Sequence, residues 1–309
     1  MKVVTEKQKG NLQLKVSKYE KKEVFWAYLL IAPTFLGLMA FYMLPALSSF
    51  YLSFTDWNGL TAPVFNGVAN FVELFSNAEY KRTVINTIVF TFVSVPLMII
   101  LATLIATLLN QKVRGMAIYR TLFFLPVVTM PIAVGMVWRW LYNSQYGLIN
   151  YVLSIVGIEG PAWLLDSKFA LFSIILASIW MGMGQSIIIL LAGLQGIPES
   201  LYEAADLDGA NAFRKFMNVS LPLLTPSLFF VLVISLIGSL QVFDLVFIMI
   251  GENSVILNAT RTVVYGIYEQ GFVLSNMGYA SAQALLLFII ILLITIVQFI
   301  LQKKWVHYE

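Results

Sequence analysis

The chain has 309 residues, of which 60% are hydrophobic and only 11% charged, against about 25% charged in an average soluble domain. A surplus of apolar residues this large does not fit inside one globular core, and a net charge of +3 is too small to point to nucleic acid. With no cysteine and a single histidine, His307, thiolate chemistry, Cys- or His-ligated metal sites and a Ser-His-Asp triad are all excluded.

Residues 1–23 read as a charged tail or an amphipathic surface helix, too long and too Lys-rich for a signal-peptide n-region. Six apolar stretches follow, each reaching the roughly 20 residues that a bilayer core requires of a helix. They run Val24–Phe54, Val84–Leu109, Ala117–Tyr142, Phe169–Gly196, Pro222–Ile250 and Tyr279–Leu301, leaving 302–309 as a C-terminal tail. Apolar runs of this length exclude strands and predict an all-α polytopic membrane protein with a transmembrane domain over 24–301, because helices satisfy their own backbone in lipid. Pro33, Pro45, Pro96, Pro126 and Pro131 fall inside or at the ends of these spans.

Basic residues set the orientation. With the N-terminus inside, the inner segments hold Lys2, Lys7, Lys9, Lys15, Lys18, Lys21, Lys22, Lys112, Arg114, Arg120, Arg214, Lys215, Lys303 and Lys304. The outer side holds only Lys81, Arg82, Lys168 and Arg261, with Arg139 near the outer end of the third span. Both termini are therefore expected in the cytoplasm. The outer loops carry Trp57, Tyr80, Trp163 and Tyr268, which serve either as interface anchors or as a docking surface.

The inner segment 197–222 joins spans four and five. Pro198 suits a first helical position, and Glu199 and Glu203 lie near the positive end of the helix it would open. Gly209 suits a left-handed stop. Asn211 is placed to cap a second helix carrying Phe213, Phe216 and Met217. The expectation is a helix–turn–helix elbow on the membrane surface.

This segment resembles the EAA loop of ABC importer permeases. The pattern is met by Glu203-Ala204-Ala205, Gly209 after three intervening residues, Val219 after nine more, and Leu221-Pro222. The likeness extends over nearly the whole chain and looks most like permeases of the maltose, glycerol-phosphate and oligosaccharide importers. Tyr51-Leu52-Ser53-Phe54-Thr55-Asp56-Trp57 and Arg120-Thr121-Leu122-Phe123-Phe124-Leu125-Pro126 carry part of it. Gly251-Glu252-Asn253 departs from it, since many relatives have Gly-Gly-Pro there. The extra N-terminal spans and large external domain of the maltose-type subunit are also lacking.

The resemblance implies the type I ABC importer permease fold and a place in a bacterial cell membrane. It implies a second homologous permease, two cytoplasmic ATPase copies, an extracellular solute-binding protein and an oligosaccharide substrate. The chain would hold no cofactor: it has no Gly-x-x-x-x-Gly-Lys-Ser/Thr sequence, so ATP and Mg would be bound by the ATPase subunits and the chain would not itself be an enzyme. Glu203, Ala204, Ala205 and Gly209 would couple to the ATPase, with Tyr202, Asp208 and Phe213 as neighbours. The likeness runs furthest towards permeases for plant-polysaccharide fragments such as pectic oligosaccharides.

Asp244 is the sole acid inside a span, and intramembrane acids are functional candidates by default. Helical spacing groups it with Ile237, Leu240 and Gln241 on one face of the fifth span. Trp180, Met181, Gly182, Met183, Gly184 and Gln185 stand mid-way along the fourth. Carboxylate, amide and aromatic groups together suit a sugar. The resemblance independently implies sugar contacts at Trp180, Met181, Gly182, Gln185, Ile237, Leu240, Gln241 and Asp244. Structural alternatives stay open: Asp244 paired with Arg139, the glutamines bonding between helices, and the glycines serving packing. Among rival functions, an intramembrane enzyme lacks paired catalytic groups. An ion-coupled secondary transporter of small polar solutes lacks further buried ionisable residues.

Overall fold

The computed structural model describes residues 18–111, 115–251 and 256–306, with side chains from residue 22 onward. Lys2, Lys7, Lys9 and Lys15 of the tail, Lys112 and Arg114 between the second and third expected spans, Glu252, Asn253 and His307 lie outside the described residues. The chain divides into two units between Tyr51 and Leu52.

The first unit holds α1 (Lys18–Leu38), a π turn at Met39–Met43 and most of α2 (Leu44–Leu52). The π turn has a local cause. Pro45 has no N–H to offer the carbonyl four residues back, and the ladder slips so that the Leu44 N–H donates to the Met39 carbonyl. The same device recurs at Leu221-Pro222, where the Leu221 N–H donates to the Phe216 carbonyl after a π turn at Phe216–Ser220. Residues Lys22–Leu52 form an apolar helical run of 31 residues, long enough to span.

The second unit opens with two short antiparallel strands, β1 (Thr55–Asp56) and β2 (Val64–Phe65), with Thr55 facing Phe65. Buried Asn70 on α3 (Ala69–Ser76) donates to the carbonyls of Ser53 and Thr55 and fixes this corner. The expected first span ended at Phe54; helix stops at Leu52, where the chain turns into β1. α4 (Ala78–Leu109) starts ahead of the expected Val84 because Asn77 caps it, accepting from the N–H groups of Glu79 and Tyr80.

The third span departs from the single helix expected over Ala117–Tyr142. α5 (Met116–Val128) and α6 (Pro131–Leu141) meet at a bend of 103°. Pro131 drives Met130 into the extended region (ψ 134°), and helix resumes with proline at its first position. After α7 (Leu148–Ile155), α8 (Ala170–Gln195) is unbroken and apolar. Then come α9 (Glu199–Leu207), α10 (Ala212–Lys215), α11 (Leu221–Leu223) and α12 (Thr225–Leu240), with 66° between Ala212–Leu223 and α12. α13 (Asp244–Ile250), α14 (Leu257–Thr260), α15 (Val263–Tyr268) and α16 (Met277–Gln302) complete the chain. The fifth expected span, Pro222–Ile250, is thus broken both at Leu224 and at Gln241–Phe243.

α4 and α8 are the central pair. Towards their starts, Phe90, Ile174 and Ile175 pack against Leu245, Met249 and Tyr265. Towards their ends, Ala102, Ala106, Leu190 and Leu194 pack against Leu224 and Val231. Small residues allow close approach where hydrophobic drive between helices is weak. A Cβ on Gly184 would meet the Phe123 carbonyl oxygen at 2.5 Å and Val127 Cγ2 at 2.6 Å, so α5 lies directly on α8 there. Gly184→Ala is expected to force α5 off α8 and cost about 1–3 kcal/mol, read as a lower unfolding midpoint in detergent. Gly182→Ala, whose Cβ would meet only the flexible Met98 Sδ at 3.1 Å, is expected to keep the wild-type midpoint.

At the end of α4 remote from α9, Arg261 is 9% exposed and pairs with both Glu79 and Glu269 (2.9 Å to the latter). Asn86 donates to the Arg261 carbonyl at 3.0 Å. The start of α4 and the turn after α15 are thereby tied to one guanidinium, a junction that spacing alone did not reveal.

Candidate functional site

The elbow is held together by short-range bonds. α9 begins at Glu199, with Pro198 as the residue before it rather than the first helical one, because its ψ of 131° is extended. It ends in a double-bonded stop: the Gly209 N–H donates to the Asp206 carbonyl and the Ala210 N–H to the Ala205 carbonyl. Gly209 has φ +70°, which a side chain disfavours. The Asn211 side chain accepts from the Arg214 N–H at 2.9 Å and starts α10. Two cross-links close the turn, Lys215 Nζ to Asp206 Oδ1 at 2.5 Å and the hydroxyls of Tyr202 and Ser220 at 2.9 Å.

The elbow's outward surface is apolar with acidic edges. Leu207 is 91% and Phe213 71% exposed, beside exposed Met217. Glu203, Ala204 and Asp208 are exposed and Ala205 half-buried. Glu203 has no ion-pair partner among the described residues.

A cavity of about 450 Å³ lies between α4, α8, α12 and the start of α13. Met181, Gly182 and Gln185 line it from α8, and Gln241 and Asp244 from the far side. The remaining expected residues fall elsewhere. Trp180 stands edge-on to Trp138, ring centroids 6.0 Å apart, and Ile237 and Leu240 are not in the lining, Leu240 being buried. The shared helical face expected for Ile237, Leu240, Gln241 and Asp244 does not exist, because the α-helical ladder ends at Leu240. The Gln241 N–H turns to the Gly238 carbonyl, and the freed Val242 carbonyl accepts from the buried Thr262 hydroxyl at 2.8 Å. Such a break is tolerated at membrane depth where it lines a cavity and its polar groups find partners. Asp244 then opens α13. Arg139 donates to the Ile248 carbonyl at 3.4 Å and makes no ion pair with Asp244 among the described residues.

Hydroxyls that sequence reasoning passed over complete the lining: Ser94 on α4, Ser178 on α8, and Ser235 and Ser239 on α12. Only Ser94 had a signal in the spacing, as the last of Thr83, Thr87, Thr91 and Ser94, which recur at three and four residues along α4. Thr91 Oγ1 and Ser94 Oγ are buried without a hydrogen-bond partner.

Residues 68–307 match the family described as binding-protein-dependent transport system inner membrane component. The chain is 37% identical over 299 residues to a probable ABC transporter permease protein, YesP, of Bacillus subtilis (strain 168), covering 96% of both chains. It is 33% identical over 282 residues to the trehalose/maltose transport system permease protein MalF of Thermococcus litoralis, covering 91% of this chain and 95% of that one. In three dimensions it is similar to a chain of a bacterial alginate ABC transporter crystallised with an alginate pentasaccharide-bound periplasmic protein. That likeness has a TM-score of 0.83 at 21% identity, over 94% of this chain and 98% of the other.

Proposed function

The chain belongs to the binding-protein-dependent transport system inner membrane components, and from that premise we propose that it is the transmembrane subunit of an ATP-driven oligosaccharide importer. It works beside a second homologous permease, two cytoplasmic ATPases and an external solute-binding protein. ATP and Mg belong to the ATPases. The elbow faces the cytoplasm, as do both termini, a reading supported by the excess of Lys and Arg on that side.

One observation carries this reading. α8 and α12, which wall the cavity, are the helices that the elbow joins: α8 ends at Gln195 and α12 starts at Thr225. A push on a capped, cross-linked elbow therefore reaches both walls through short covalent connections. Leu207 and Phe213 supply the apolar contact to the ATPase, and Glu203 and Asp208 the charge. In the cavity, Gln185, Gln241, Asp244 and the serines bond sugar hydroxyls, while Met181 and Gly182 leave room for a ring. Trehalose/maltose transport by a relative and a saccharide-carrying partner in the neighbouring structure support the substrate class. The finer assignment, a pectic fragment, sets an acidic sugar beside Asp244 and so requires a cation from the partner permease.

The test is uptake into proteoliposomes holding the whole complex, with sugars first screened on the binding protein. ATP-dependent uptake is expected. Asp244→Ala should lower it about ten-fold, the loss of one hydrogen bond to a charged group, with the elbow's response to ATP intact. Uptake driven by a proton gradient without ATP would overturn the coupling, and wild-type transport by Asp244→Ala would overturn the site.

A further inference from the structure

We propose that the groove between α5 and α8, at the elbow end of the bundle, binds an anionic phospholipid. The groove encloses about 420 Å³ and is walled by Leu109, Phe123, Phe124, Ile187, Ile188 and Leu191. It belongs neither to the cavity under Asp244 nor to the elbow surface.

Its dimensions follow from the helices. Contact of α5 with α8 at Gly184 closes one end. Arg120, Ala192 and Gln195 stand at the other. The helix from Gly184 to Gln195 rises about 16 Å, close to one leaflet of a roughly 30 Å hydrocarbon core. An apolar slot one leaflet deep fits an acyl chain lying along α8.

Charge selects the headgroup. Arg120 is exposed, and one of its terminal nitrogens donates to the Leu109 carbonyl at the end of α4, 3.2 Å away. No carboxylate pairs with it among the described residues. The bond to Leu109 holds the guanidinium at the mouth of the groove and leaves its other donors for a ligand. A guanidinium fork matches a phosphate, and a fixed cation beside an apolar slot between helices is complementary to an anionic lipid. Phe123 and Phe124 offer flat walls to the chain below.

The experiment places the intact complex in nanodiscs of equal phosphatidylglycerol and phosphatidylcholine, followed by mild delipidation and mass spectrometry of retained lipid. Wild type is expected to retain phosphatidylglycerol about five-fold over phosphatidylcholine, the selectivity of one basic residue near the membrane surface. Arg120→Lys should keep that preference and Arg120→Gln should lose it. Ile188→Trp, which fills the slot partway between Gly184 and the mouth and keeps Arg120, should release both lipids. Equal retention of the two lipids by wild type, or an unchanged preference in Arg120→Gln, would overturn the proposal. So would disulfide trapping of Ile188→Cys to cysteines placed in the partner permease, since a protein helix would then occupy the groove. The native chain has no cysteine, which makes that label unique.

Discussion

Glu203→Lys is expected to abolish ATP-driven uptake while the chain still folds and inserts. The side chain is exposed and has no ion-pair partner among the described residues, so the reversal breaks no internal salt bridge. Its cost to α9 is limited to the helix-terminus effect, a few tenths of a kcal/mol at an exposed site. At a protein contact the arithmetic differs, because like charges brought together across an interface cost several kcal/mol. Exposed Leu207 and Phe213 on the same elbow would supply the apolar part of that contact. Glu203→Gln removes the charge without reversing it and should leave measurable uptake. Co-purification of the ATPase with each variant, together with sugar uptake in proteoliposomes, separates lost docking from lost folding. Uptake by Glu203→Lys at the wild-type rate would show that the elbow does not use this residue.

The second large effect is expected at the other end of the bundle. Arg261→Ala should destabilise the chain by about 2 kcal/mol, less than the loss of one partner from a fully buried pair because the Glu79 carboxylate is half exposed while Arg261 and Glu269 are mostly buried. The guanidinium faces Glu79 at the start of α4 and Glu269 after α15, and its loss leaves Glu269, on a largely buried side chain, uncompensated. Replacing all three residues at once, with Arg261→Met, Glu79→Gln and Glu269→Gln, should recover much of the loss, since no charge is then left unpaired. Unfolding midpoints in detergent for the single and triple variants check this. A triple variant no better than Arg261→Ala would mean that the packing of the long side chain, and not its charge, holds the junction.

The turn of the elbow was legible because its geometry is local: Gly209 stops α9 and Asn211 starts α10, each through bonds to residues only a few positions away. Its ends were not, since Pro198 stands outside α9 and Phe216 and Met217, expected in the second helix, fall in the π turn before Leu221-Pro222. The cavity was legible only in part. Met181, Gly182, Gln185, Gln241 and Asp244 line it, but Trp180, Ile237 and Leu240 do not, since the inference assumed one unbroken fifth helix. The serines carry little signal in the sequence because a hydroxyl in an apolar helix more often bonds its own backbone than a ligand.

By itself, the sequence determined the helical class, the number of apolar stretches and the turn of the elbow at Gly209 and Asn211. Apolar length and short-range capping depend on neighbours along the chain. Only the tertiary structure decided where spans bend and which polar groups meet. The interruption at Gln241–Phe243 contains neither proline nor glycine. It persists because the Thr262 hydroxyl, 20 residues away, takes up the Val242 carbonyl, and that partner exists only once α15 has packed against the core.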